Sequence, residues 1–320
     1  MNLDLVKSKI SDALFRCDLF FHLCSSLDEL SQFCREELNE NTDAFLICGG
    51  DGTVNTVLQC MIQHKKADRS LPPICLVSSG TANDLAHEID ISHRIDEAAR
   101  LLLEGREKKI DLIEVESANE KKYMLTNGGI GIPALAALKA NDVRNLIRTF
   151  CNENNKSLIG RTVGDIAQKA VKRAGSMVYS MTLLKTISDW KHGDWHLEVE
   201  VSGKDSFTTR APFLLVNNQS TIGQKFLTAP YTSHNDGLVN LLVIESNNKI
   251  TQLEKVLRVY MGNLKEGATV RSLETPEFKI RAKSQKHKIT FFGDGEILFR
   301  DVDEVKVRCL KKNISVMVRE

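Results

Sequence analysis

The chain is 320 residues long, enough for two domains at roughly 150 residues each. Its 43 basic and 42 acidic side chains leave a formal charge of +1, which argues against a globally basic nucleic-acid binder. Hydrophobic residues at 42% and charged residues at 27% exclude disordered, collagen-like and coiled-coil classes.

Leu3, Val6, Ile10, Ala13 and Leu14 share one helical stripe, so the chain opens in a helix. Asp18 to Leu23 is short and apolar and reads as a buried strand. Ser26 and Glu29 form a capping box ahead of a helix carrying Leu27, Leu30, Phe33 and Leu38. Ala44 to Cys48 is another short apolar strand, emptying into Gly49, Gly50, Asp51, Gly52 and Thr53. Val54, Val57, Leu58, Met61 and Ile62 then follow at helical spacing. Ile74 to Val77 repeats the pattern, running into Gly80, Thr81, Ala82, Asn83, Asp84 and a further helix. Ser92 is placed to cap the next helix, through Leu103, and Gly105 suits a left-handed position at its end.

After Lys109 the texture changes to strands. Leu197, Val199 and Val201 alternate with His196, Glu198 and Glu200, and Phe278, Ile280 and Ala282 alternate with Lys279, Arg281 and Lys283. Segments 213–216, 238–244, 289–292 and 305–309 add more. The economical division is an α/β domain over 1–112 and a strand-rich domain over 113–320, with a helical insertion near 139–191. That insertion holds ten Lys/Arg against four Asp/Glu and reads either as a solvated face or as a dock for anionic lipid, with Trp190 and Trp195 at its end. No apolar run approaches the length of a membrane span and the start lacks the features of a leader, so the expected setting is cytoplasmic. The eight scattered cysteines form no C-x-x-C pair, which speaks against a zinc site or a disulfide framework.

A turn with three glycines, an acid and a hydroxyl between a buried strand and a helix offers free backbone N–H groups to a phosphate. Asp51 can hold Mg²⁺ or order the loop. The Gly80–Asp84 turn closes the next strand of what should be the same parallel sheet, and ligands bind at the carboxyl ends of such strands. Taken alone, Asn83 and Asp84 would serve equally as a helix cap, and Asp294-Gly295-Glu296 and Asp236-Gly237 as plain hairpin turns.

The G-G-D-G-T and G-T-x-N-D pair resembles the lipid kinases that include the bacterial diacylglycerol kinases and, more distantly, the sphingosine kinases. The resemblance extends through Asn127-Gly128-Gly129-Ile130-Gly131, Asn217-Asn218, Gly223, Ala229-Pro230, Asp236-Gly237-Leu238 and Asp294-Gly295-Glu296. It implies a Rossmann-like α/β amino-terminal domain, a β-sandwich after it, and an active site with ATP in the cleft between them. It further implies that Gly49, Gly50, Asp51, Gly52, Thr53, Val54, Asn55 and Thr56, with Gly80, Thr81, Asn83 and Asp84, bind the nucleotide. Ser233, Asp236 and Leu238 would hold a structural Mg²⁺, Glu296 would be the base, and Asp294 would orient it or the catalytic metal.

Three positions depart from the family pattern: Thr56 stands where Glu is usual, Asn240 where Asp is common, and Gly223-Gln224-Lys225 where a glycine triplet is usual. The family's opening strand and N-P-x-(S/A)-G loop have no counterpart ahead of the first helix. The expected reaction is phosphorylation of a lipid hydroxyl, diacylglycerol by default, at a membrane surface by a peripherally associated protein. A homodimer is compatible with this, and no nucleic-acid partner is expected. Rival readings are an NAD kinase-like enzyme, which shares the G-G-D-G turn, and a non-catalytic nucleotide or lipid sensor.

Overall fold

The computed structural model describes residues 3–66, 69–80, 83–139, 182–183, 185–189, 195–223, 226–246, 248–284 and 288–320. The chain divides into two compact units. The first comprises Met1–Leu112 together with His234–Gly237 and Leu310–Glu320, and the second comprises Ile113–Ser233 and Leu238–Cys309.

The first unit is α/β. Helices α1 (Leu3–Ala13) and α2 (Leu27–Glu37) precede β1 (Phe45–Gly49), α3 (Asp51–His64), β2 (Ile74–Ser78), α4 (Asp84–Glu88) and α5 (Ile95–Glu104). Strands β1 and β2 are parallel, with Gly49 opposite Ser78. The far end of the last strand, β16 (Glu304–Val318), pairs parallel to β2 through Val316 and Ile74. The capping box forms in part: Glu29 N–H donates to Ser26 Oγ at 3.2 Å, while the Glu29 carboxylate takes Ser25 rather than Ser26.

Three expectations fail here for physical reasons. Asp18–Leu23 forms no ladder among the described residues, because its apolar side chains are not buried as those of an inner strand are: Phe20 and Leu23 are exposed, and only Leu19 packs against the core of α1. Helix α5 begins after Arg94, not Ser92, whose hydroxyl instead accepts from Arg94 N–H and donates to Glu97. Gly105 is extended, not left-handed. A Cβ there would lie 2.6 Å from the Leu101 and Val318 carbonyl oxygens, so the residue serves close approach of the backbone.

The second unit is a β-sandwich. One sheet runs β4 (Glu120–Met124), β3 (Arg106–Ser117), β16, β13 (Glu277–Ala282), β6 (Leu197–Val201) and β7 (Phe207–Thr209). The other has the order β12 (Val270–Thr275), β11 (Val239–Ile244), β8 (Phe213–Asn217), β5 (Asn127–Gly131), β14 (Ile289–Gly293), β15 (Glu296–Val302). Period-two alternation builds the space between them: Leu197, Val199, Phe278, Ile280, Val305 and Val307 face inward into one apolar cluster with residues of the second sheet. Their outward neighbours pair across strands, as in Lys283–Glu198 at 2.9 Å and Lys279–Glu304 at 3.1 Å. The other face of the six-stranded sheet carries a second apolar cluster, closed by helix α6 (Lys249–Tyr260) and the helical residues 132–139 and 185–189. A small hairpin, β9 (Thr221–Ile222) and β10 (Phe226–Leu227), completes the unit.

Candidate active site

In the first unit, the parallel register brings the carboxyl ends of β1 and β2 side by side, and Ser79 N–H donates to the Gly49 carbonyl at 2.9 Å. The two glycine turns then meet backbone to backbone. A Cβ built on Gly50 would fall 2.8 Å from Gly80 Cα, and one on Gly80 would fall 2.4 Å from Gly50 Cα. No side chain fits in either place. Gly50 caps α3, whose first internal bond runs from Val54 N–H to Gly50 O, so the N–H groups of its first turn point out of the helix end. These amides and the positive helix end make an anion cradle.

Asn83 holds the second turn in shape. It sits in the left-handed region (φ 51°, ψ 49°) as the cap of α4, and its side chain accepts from Gly80 N–H at 2.9 Å and donates to Gly80 O at 3.1 Å. Asp84 opens α4, and Thr81 lies outside the described residues. Val54 and Asn55 are buried within α3, Asn55 accepting from Gln59 at 3.2 Å, and Thr56 Oγ1 donates to Gly52 O at 2.7 Å. These three side chains are thereby engaged with the core or their own helix.

The 234–237 segment is fastened to a carboxylate that sequence reasoning passed over. Asp111 is fully buried, and its two oxygens accept from Gly237 N–H and Lys312 N–H, both at 2.6 Å, while its own N–H donates to His234 O at 2.7 Å. Two acids, Asp111 and Glu114, inside the otherwise apolar run Ile110–Val115 were the available signal, since buried carboxylates need donors. Burial pushes the His234 imidazole down, and Lys108 adds to the shift. Ser233, Asp236 and Leu238 are all partly exposed around this turn. Hydroxyl, carboxylate and carbonyl oxygens are the hard donors that suit Mg²⁺. Among the described residues, no three His, Cys, Asp or Glu side chains cluster as a metal site would need.

In the second unit, Asp294 and Gly295 are the two central residues of the β14–β15 hairpin, both at positive φ (51° and 81°), the geometry D-G favours. The hairpin does more than turn the chain. Asp294 is buried, and its carboxylate accepts from Leu125 N–H and Thr126 N–H, both at 2.8 Å, and from Thr126 Oγ1 at 2.6 Å. Its N–H donates to Asn127 O at 2.9 Å. Glu296, two residues on and paired with Gly293, is exposed. One turn therefore presents an exposed carboxylate to solvent and a locked one to the backbone. Trp195 is partly buried against both apolar clusters; Trp190 and nearly all of 139–191 lie outside the described residues.

Residues 2–115 match the model for the diacylglycerol kinase catalytic domain. Residues 159–318, half of the chain, match the YegS C-terminal NAD kinase beta sandwich-like domain. The chain belongs to the diacylglycerol kinase-like lipid kinase family. A Staphylococcus carnosus (strain TM300) relative named "Putative lipid kinase" is 24% identical over 310 residues, covering 94% of this chain and 86% of its own. The diacylglycerol kinase of Mycobacterium tuberculosis (strain ATCC 25618 / H37Rv) is 23% identical over 238 residues, 73% of this chain and 66% of its own. A crystal structure of a diacylglycerol kinase from Bacillus anthracis str. Sterne superposes with a TM-score of 0.67 at 16% identity, covering all of this chain and 92% of that one. The Rossmann-like unit followed by a β-sandwich is thus the family fold. Among the described residues, no helix is long and apolar enough to cross a membrane.

Proposed function

We propose that this protein transfers the γ-phosphoryl group of ATP to a lipid hydroxyl, with diacylglycerol, yielding phosphatidic acid, as the acceptor to try first. The observation that carries the reading is the backbone contact of Gly50 with Gly80, a cradle that any side chain would fill and that phosphates suit. Amides at the start of α3 receive the phosphate oxygens, and Asn83 keeps the second turn clear of them. Ser233, Asp236 and Leu238 would hold the structural Mg²⁺, and a cation bound with ATP would supply the charge neutralisation that phosphoryl transfer requires.

Glu296 takes the proton of the acceptor hydroxyl while its oxygen bonds to the γ-phosphorus, and the bond from that phosphorus to the bridging oxygen breaks to release ADP. Asp294, locked by three donors, fixes the hairpin that carries Glu296. The protein works at the cytoplasmic membrane surface as a peripheral enzyme, and 139–191 is the segment proposed to meet anionic lipid.

The test is transfer of labelled γ-phosphate from Mg-ATP to dioleoylglycerol and other hydroxyl-bearing lipids in mixed micelles, with NAD as a parallel acceptor. Label in lipid is the expected result. Label in NAD alone would replace this reading with the NAD kinase one, and Mg-ATP binding without transfer to any acceptor would leave a sensor.

A further inference from the structure

At one end of the six-stranded sheet, adjacent strands place polar residues in a row. Asn240 lies opposite Asn217 across β11 and β8, Asn217 lies opposite Asn127 across β8 and β5, and Asn127 O receives the N–H of Asp294. Directly opposed residues of antiparallel strands share a face. This is the face of Phe213, Leu215, Leu242 and Ile244, which belong to the apolar cluster under α6. An apolar floor therefore ends in a line of amides, and that line ends at the Asp294–Glu296 hairpin.

Most of the row is internally satisfied. Asn217 Nδ2 donates to Asn240 Oδ1 at 3.2 Å, Asn240 Nδ2 to Ser272 Oγ at 2.8 Å, and Thr228 Oγ1 to Asn217 Oδ1 at 3.0 Å. Two amides differ. Asn127 Nδ2 and Gln219 Nε2 both donate to the single carbonyl of Thr221, at 2.7 and 2.8 Å. A carbonyl oxygen only accepts, so both nitrogens must face it, and neither amide can be turned round. Asn127 Oδ1 and Gln219 Oε1 are consequently aimed elsewhere, and neither has a hydrogen-bond partner among the described residues. Their residues are 3% and 1% exposed. Buried acceptors left unmade are expensive, and two on amides that share one anchor ask for a group that donates.

We propose that Asn127 Oδ1 and Gln219 Oε1 accept hydrogen bonds from a second polar group of the acceptor lipid, so that the substrate carries a donor beside the hydroxyl that is phosphorylated. The inference rests on the lipid kinase reading and narrows it. The reacting hydroxyl gives its proton to the base, and the remaining headgroup oxygens of diacylglycerol are esters, which cannot donate. A 1,2-diol, as in a monoacylglycerol, has a spare O–H; a 2-amino alcohol, as in a sphingoid base, has N–H donors as well. The headgroup would sit at the amide row. Asn127 and Gln219 are positioning residues in this scheme, setting which hydroxyl faces Glu296.

The experiment compares kcat/KM for 1-oleoylglycerol, sphingosine and 1,2-dioleoylglycerol, and repeats the ratios with Gln219→Met, which keeps volume and removes the acceptor. At least a tenfold preference for one of the two donor-bearing lipids over dioleoylglycerol is expected, the favoured arm telling diol from amine. In Gln219→Met that ratio should fall at least tenfold, with melting and Mg-ATP affinity measured alongside. For a lipid-side check that needs no variant, the oleoyl monoester of 1,3-propanediol lacks the vicinal hydroxyl and should be at least tenfold poorer than 1-oleoylglycerol if the diol arm is favoured. Equal or better use of dioleoylglycerol, or an unchanged ratio in folded Gln219→Met, overturns the subsite and leaves the kinase reading standing. Failure to phosphorylate any lipid overturns both.

Discussion

The Gly50–Gly80 turns of the first unit and the Asp294–Gly295 hairpin of the second are all short glycine-bearing turns, yet they offer a ligand opposite things. The first pair presents backbone: two Cα atoms in contact and a row of helix N–H groups. The hairpin presents carboxylates, one buried under three donors and one exposed. A site of the first kind is destroyed by adding atoms, and a site of the second kind by removing charge. Binding and chemistry should therefore be separable by substitution.

The largest effect belongs to the hairpin. Glu296→Gln keeps the shape and removes the basicity, so kcat should fall by roughly 10²- to 10⁴-fold while ATP affinity, followed by calorimetry, barely changes. Asp294→Asn should cost a comparable amount of turnover and also lower the melting temperature. Its new amide N–H₂ would be pushed against the N–H donors of Leu125 or Thr126 that the carboxylate now satisfies. Turnover by Glu296→Gln within a few-fold of the parent would remove the assignment and turn attention to Asp51 or Asp84.

The two turns also differ in how far they could be read. G-G-D-G-T after an apolar strand announces a phosphate cradle because glycine spacing, strand and helix are all local signals. What the motif does not say is why Gly80 must be glycine: the atom it would strike belongs to Gly50, thirty positions away, and only the β1–β2 register brings them together. Likewise Asp294-Gly295 reads as a hairpin, but the donors that lock Asp294 come from residues 125 and 126. The partners of Asp111 and the return of Leu310–Glu320 to the first unit were illegible for the same reason, since a strand's partner is not written beside it. Asp18–Leu23 shows the converse error, in which local apolarity suggested a buried strand where Phe20 and Leu23 are exposed and no ladder forms among the described residues.

The middle-sized effect breaks the comparison from the other side. Gly80→Ala adds one methyl whose position lies 2.4 Å from Gly50 Cα and 2.7 Å from Asn83 Oδ1, so the two turns must separate. Overpacking of this kind costs about 1–3 kcal/mol. Paid in cradle geometry, that is about tenfold or more in Mg-ATP affinity. Equilibrium binding should show the loss, and turnover at saturating ATP should be affected far less than in Glu296→Gln. Unchanged affinity in folded Gly80→Ala would mean that the turns do not act as one site.

The smallest effect tests the sandwich itself, away from both turns. Glu114 is buried, and its carboxylate meets Arg308 and, at 3.2 Å, Lys121. Burial alone would raise its pKa, but the hydrogen bonds and charges of Arg308 and Lys121 together outweigh burial and hold it below the usual 4.5. A carboxylate whose folded pKa is depressed binds fewer protons in the native state than in the unfolded one. Its stabilisation is therefore present above pH 4.5 and is lost as pH falls from there through the lower folded value. Glu114→Gln should destabilise the protein by about 1–3 kcal/mol at neutral pH, the range for hydrogen bonds to charged groups. It should also flatten the acid limb of the stability curve. Both cations are two-fifths exposed or more, which keeps the expected value toward the low end of that range. Denaturant melts of the parent and Glu114→Gln from pH 3 to pH 7 would show the two curves converging at the acid end; a gap that stayed constant with pH would assign the loss to packing rather than to charge.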